Sequence, residues 1–154
     1  MIKHNKDNRI IYEKKDFANF QNQRPVIYTY EGKTYIAWER TESVSAAIWT
    51  AEINKDGIVS RTAVKVADKG NSSRPIFFEY NNKLNLVWFD TRTGKEAVYL
   101  AEKAGNDWEE VTILENNYSN MFAYPLVLKK SDNVKQLNFL WQQSGTNQNN
   151  LGIL

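Results

Sequence analysis

The residues from Arg74 to Glu102 repeat, without a gap, those from Arg24 to Glu52 at an offset of fifty positions. Nine of the twenty-nine aligned pairs are identical, among them Arg24/Arg74, Pro25/Pro75, Lys33/Lys83, Trp38/Trp88 and Glu52/Glu102. Average residue usage gives roughly two matches over that length by chance. A period of this size marks a repeat protein, in which each unit is a supersecondary element that buries its faces against its neighbours.

Each unit reads as strands. In the first, Pro25 to Glu31 forms strand A, Glu31-Gly32-Lys33 a tight turn, and Thr34 to Glu39 strand B. The loop Arg40 to Ser45 leads to strand C at Ala46 to Ile53, the turn Asn54-Lys55-Asp56-Gly57, and strand D at Ile58 to Ala67. The second unit runs in the same order: Pro75 to Tyr80, the turn Asn81-Asn82, Leu84 to Phe89, Glu96 to Lys103, and Trp108 to Leu114. The third is expected to open at Tyr124-Pro125, again fifty residues on, with strands at Pro125 to Lys129, Leu137 to Gln142 and Asn150 to Leu154. All three prolines then mark one position, the start of strand A, where a missing backbone donor is tolerated. Residues 1–8 are expected to fray, and residues 9–14 to form one short strand.

Strands B and C carry near-continuous apolar runs (YIAW, LNLVW, LNFLW, AAIWTA), which indicates sheets covered on both faces. Five Trp, eight Tyr and seven Phe supply the bulk for such contacts. No window keeps a 3.6-residue period, so a helical solenoid is excluded. Four antiparallel strands per unit, with units packed face to face, is the blade arrangement of a β-propeller. The expected fold is all-β: one propeller module over residues 1–154, with blades at about 24–67, 74–114 and 125–154 plus the strand at 9–14.

Composition removes several functions. The net charge of +2 comes from scattered Lys and Arg, too little for nucleic acid or an anionic membrane surface. There is no cysteine, and so neither a disulfide framework nor a thiolate metal site. The single histidine, His4, supports neither Ser-His chemistry nor a histidine metal cluster. No phosphate-binding glycine loop is present, and no cofactor is expected. The polar N-terminus is not a signal peptide, and no run approaches membrane-spanning length. A secreted or cell-surface location is expected only if a leader has been removed.

The second unit resembles blades of the sialidase-like, or BNR-repeat, propeller superfamily. The resemblance is carried by Asn85 to Arg92, the Gly94 loop, Ala97 to Leu100 and Gly105-Asn106-Asp107-Trp108. That family places an Asp-box of Ser, Asp, Gly and Trp in the C–D turn; here the turns are degenerate, Asn54 to Gly57 and Gly105 to Trp108. Arg24-Pro25 and Arg74-Pro75 are similar to the arginine that opens the first sialidase blade.

Propellers hold about four to eight blades, and three close a ring poorly. The third unit also lacks a strand D. The strand at 9–14 can supply it, either within the chain or by exchange between two copies. A homodimer forming a six-bladed ring is therefore expected, the alternative being that the chain is part of a longer propeller.

The D–A and B–C loops of a propeller open on the channel face. That face is expected to carry Arg24, Arg40, Arg74, Asp90, Arg92 and Tyr124 as candidate ligand-binding residues, together with Glu39, Gln142 and Gln143. Arginine suits planar recognition of a carboxylate, and mixed carboxylates and aromatics suit a sugar. A glycan or small anionic ligand, or a protein partner, is expected. The competing reading is architectural: Arg24 and Arg74 pair with carboxylates or carbonyls of adjoining blades. Trp38, Trp88 and Trp141 read as blade-packing core, and Trp49, Tyr99 and Trp108 as inter-blade contacts. By resemblance, a sialidase-like activity would use an arginine triad from Arg24, Arg74 and Arg40 or Arg92, with Tyr124 as nucleophile. Tyr124 stands where the third arginine of the repeat should recur, and no loop is long enough for a deep pocket. No catalytic residue is therefore assigned.

Overall fold

Short apolar runs punctuated by left-handed turns can satisfy their backbone groups only by pairing with their sequence neighbours, and the computed structural model shows this pairing throughout. It describes residues 2–4, 10–12, 21–58, 60–114, 119–131, 134–144 and 149–153. Two short strands, β1 (Ile2–His4) and β2 (Ile10–Tyr12), pair antiparallel with each other. Blade one follows as β3 (Gln21–Tyr30), β4 (Lys33–Glu42), β5 (Ser45–Asn54), β6 (Gly57–Ile58) and β7 (Val64–Ala67). Blade two is β8 (Ser73–Tyr80), β9 (Lys83–Asp90), β10 (Ala97–Ala104) and β11 (Asp107–Leu114). Blade three is β12 (Ser119–Ser131), β13 (Val134–Ser144) and β14 (Asn149–Ile153). Every pairing within these sheets is antiparallel between sequence neighbours, apart from β7, which joins β5 beside β6. The fold is all-β and propeller-like.

The A–B hairpins have a local cause. Glu31 and Gly32 take φ values of 49° and 73°, and Asn81 and Asn82 take 51° and 55°. Positive φ at both central residues gives a turn whose twist matches the flanking strands. Beside the turns, the matched residues Lys33 and Glu52 pair at 3.3 Å, and Lys83 and Glu102 pair in the same way. The degenerate Asp-box segments do form the C–D turns. Asn54 Oδ1 accepts from the Asp56 N–H, and Asp107 Oδ1 from the Trp108 N–H, both at 2.9 Å.

The blades pack face to face. Between blades one and two lie Ala37 and Ile48 on one side, and Phe77, Leu86, Trp88 and Tyr99 on the other. Between blades two and three lie Phe78, Val87, Phe89, Val98, Leu100, Ala123 and Trp141. Each such large side chain contributes about 1.5–3 kcal/mol by burial. Trp38, Trp88 and Trp141 are all buried, and Trp88 stacks on Tyr99 with ring centres 6.0 Å apart. Trp108 crosses the first seam, donating from Nε1 to Thr50 Oγ1 at 2.8 Å and packing on Phe77.

The structure corrects the sequence reading at three places. Strand D of blade one, expected unbroken over 58–67, is split by a 3-10 turn at Ser60–Thr62, whose Thr62 Oγ1 accepts from the Glu52 N–H at 2.8 Å. Residues 2–4, expected to fray, pair with Ile10–Tyr12. The expected strand at 9–14 is seen at 10–12; residues 9, 13 and 14 lie outside the described residues.

The third correction concerns the prolines. In blade one Gln23 faces Glu39 and Val26 faces Ala37, so Arg24 and Pro25 together oppose Trp38. Blade two repeats this bulge with Arg74 and Pro75 opposite Trp88. In blade three Met121 faces Gln142 and Tyr124 faces Leu140, so the bulge is at 122–123, opposite Trp141. Pro125 instead lies in the ladder opposite Phe139. It is tolerated because β12 is an edge strand, where a missing donor can face out of the sheet. The fifty-residue spacing of the third proline is therefore not a structural equivalence.

Candidate functional site

The bulges that open β3 and β8 hold Arg24 and Arg74 at φ values of 49° and 55°, left-handed geometry that a side chain with a Cβ rarely takes. A bulge bends its strand and re-aims the side chains there. Both arginines consequently border one cleft of about 250 Å³ between the loop ends of blades one and two. Gln23, Glu39, Thr41, Val44, Ser45, Ala46, Asn71, Ser73, Phe89 and Glu96 complete its lining.

Glu39 anchors the floor and is only 1% exposed. Its Oε2 accepts from Arg24 Nη1 at 2.7 Å and from Gln23 Nε2 at 3.1 Å. Its Oε1 accepts from the backbone N–H of Arg74 at 2.6 Å. A buried carboxylate needs such compensation, and here three donors from two blades supply it.

The connector between the blades forms one wall. Ser72 N–H donates to the Ala46 carbonyl at 2.8 Å, and Asn71 Oδ1 accepts from the Ala46 N–H at 3.0 Å. On the blade-two side Ser72 Oγ donates to Asp90 Oδ2 at 2.7 Å, and the Asn71 N–H donates to Thr91 Oγ1 at 3.2 Å. Gly70 permits the close passage, since a Cβ there would lie 2.1 Å from Asp90 Oδ1 and 2.5 Å from the Arg92 nitrogen.

The six candidate residues therefore separate. Arg24 and Arg74 line the cleft. Asp90 is buried behind the connector and also accepts from Arg92 Nη2 at 2.9 Å. Burial acts to raise its pKa, but hydrogen bonds from Arg92 and Ser72 outweigh this and hold the carboxyl below its ordinary range. Arg92 spans Asp90 and Glu110, with its guanidinium 3.8 Å from the Tyr99 ring centre. Arg40 lies over the Trp49 ring at 4.9 Å and 3.7 Å from Glu42. Tyr124 stands exposed on β12, outside the cleft lining. Of the other channel-face expectations Glu39 is central, Gln142 is outside the lining, and the side chain of Gln143 lies outside the described residues.

Arg92 and Glu42 occupy the same repeat position and do the same job with opposite charge. Glu42 holds Lys65 of β7 at 2.7 Å beside Trp49, and Arg92 holds Glu110 of β11 at 2.9 Å beside Tyr99. These ion pairs fasten each B–C loop to its own outer strand.

Sequence reasoning did not single out Asn71, Ser73 and Glu96 as cleft residues. Asn71 and Ser73 follow from the rule that D–A connectors open on this face. Glu96 had no distinguishing signal, being read as the first residue of strand C, which the structure begins at Ala97.

No protein-family model and no curated protein matches the chain. Among solved structures, an endo-arabinase from Bacteroides thetaiotaomicron VPI-5482 is similar, with a TM-score of 0.58 over 95% of this chain at 15% identity. The chain spans 58% of that chain's length. At this identity the likeness is one of fold.

Proposed function

We propose that the chain is a non-catalytic carbohydrate-binding module of sialidase-like architecture that seats a neutral sugar unit in the cleft between blades one and two. The observation that carries the reading is the balanced polar lining: Arg24 and Arg74 against Glu39 and Glu96, with amide and hydroxyl groups between them. Alternating donors and acceptors without net charge match sugar hydroxyls better than they match an anion. Val44, exposed at the mouth, gives the lining an apolar element beside the polar rim. The fold likeness to an endo-arabinase adds support, since that protein's name ties the architecture to a glycan.

Two features disfavour a sialidase-like arginine triad. The cleft lining contains two arginines, Arg24 and Arg74, and Arg24 is already paired with Glu39. Arg40 and Arg92 are engaged on aromatic rings and carboxylates away from that lining.

A glycan array that includes arabinan fragments, followed by calorimetry, tests the reading. Saturable binding of a neutral oligosaccharide, little changed by salt and weakened at least fivefold by Glu96→Gln, is expected. Silence across the array overturns the reading. Salt-sensitive capture of sialosides would replace the neutral ligand with an anionic one. Release of reducing ends from any bound glycan would make the module an enzyme.

A further inference from the structure

Strand A of each blade presents alternate residues to the blade that follows. Counted from the bulge, Val26, Tyr28 and Tyr30 of β3 correspond to Ile76, Phe78 and Tyr80 of β8, and to Tyr124, Leu126 and Leu128 of β12. The first row packs into the core shared with blade two, where Tyr28 lies 6.3 Å from Phe77. Tyr30 adds a hydrogen bond from its hydroxyl to the Asn82 carbonyl at 2.5 Å. The second row packs into the core shared with blade three, where Phe78 meets Phe139 edge-on at 6.1 Å. The third row is exposed: Tyr124 by 56%, Leu126 by 48% and Leu128 by 45%. Three large apolar residues in one row on a strand form a patch of the kind that marks an interaction surface.

The complementary surface is at the other end of the same stack. Phe77, which receives Tyr28, corresponds in register to Ile27 of β3. Ile27 is 62% exposed on the face of blade one opposite blade two, while Ile36 across the ladder from it, and Trp38 and Ala51 on the same face, are buried. The chain thus offers the donor row of a blade contact on blade three and the matching receptor position on blade one.

We propose that blade three of one copy docks on blade one of a second copy, with Leu126 seated on Ile27 of that copy. The twofold-related contact forms at the other junction, so two copies close a ring of six blades, within the range of about four to eight that propellers use. The contact is between the strand-A rows of two blade faces, as where Tyr28 meets Phe77 at the first seam. It needs no strand exchange.

Sedimentation velocity on the full chain from about 1 to 100 µM tests the assembly, and the absence of cysteine makes the contact traceable. A dimer is expected, shifted at least tenfold toward monomer by Leu126→Asp with an unchanged far-ultraviolet dichroism spectrum. A mixture of Leu126→Cys and Ile27→Cys chains should yield a disulfide-linked pair on mild oxidation, at higher yield than either variant alone. A monomer across the whole range overturns the proposal and leaves the row to a further blade or another partner. A dimer indifferent to Leu126→Asp, or one that cross-links 126 to 126, overturns the assigned faces.

Discussion

The Glu39 carboxylate accepts the backbone N–H of Arg74 at 2.6 Å across the seam between blades one and two. It also holds Arg24, so one acid fixes the left-handed bulges of two successive blades. We predict that Glu39→Ala lowers the unfolding free energy by about 2–4 kcal/mol, because a buried N–H and an arginine lose their acceptor together. Arg24→Ala should lower it by no more than about 1 kcal/mol, its head group being half-exposed. Urea denaturation of both variants gives the comparison; equal losses would contradict it.

Gly70 and Gly105 should resist alanine for different reasons. At Gly70 the added methyl meets Asp90 and the Arg92 backbone, and overpacking of that kind costs about 1–3 kcal/mol. At Gly105 nothing lies within 4 Å, but φ is +60°. The expected loss there is about 1 kcal/mol, from the left-handed backbone alone. Thermal unfolding of Gly70→Ala should accordingly show the larger drop, and be accompanied by weaker ligand binding at the adjoining wall.

Acid should loosen the seam through Asp90. A carboxyl whose pKa is lowered on folding contributes stability that is full above its unfolded value, near pH 4, and lost as the pH falls through the lower folded value. Asp90→Asn should therefore be less stable than the parent at pH 7, with the gap narrowing below about pH 4. Denaturation midpoints measured between pH 2.5 and 7 report this directly. A constant gap would mean that Asp90 acts through shape and not charge.

Trp108→Phe should remove the hydrogen bond to Thr50 and keep much of the ring contact with Phe77, lowering stability by about 1–2 kcal/mol. Thr50→Val should remove the same bond from the other side. A double-mutant cycle is expected to show the two losses overlapping rather than adding.

The strands of blades one and two were legible because the sequence states them twice. Near-continuous apolar runs, paired turn residues at Glu31-Gly32 and Asn81-Asn82, and the matched Lys33/Lys83 with Glu52/Glu102 all encode local pairing, and all appear as ladders or cross-strand contacts. What the sequence hid was non-local. The bulge of blade three is set by where Trp141 falls in β13, not by the nearest proline, and a count from Pro75 misplaces it. Arg92 and Arg24 carry the same side chain, yet Glu110 and Asp90 absorb one while Glu39 aims the other at the cleft. Which partner each meets depends on pairings that no linear spacing reports.

The inverted charges at Glu42 and Arg92 bear on how the chain avoids mispairing as it folds. Two units this alike could trade outer strands, since β7 and β11 each pair antiparallel with the third strand of their blade. It would also bring Lys65 to Arg92, or Glu110 to Glu42, and like charges facing each other there oppose the exchange. The sign of a single position thus lets each blade tell its own outer strand from its sibling's.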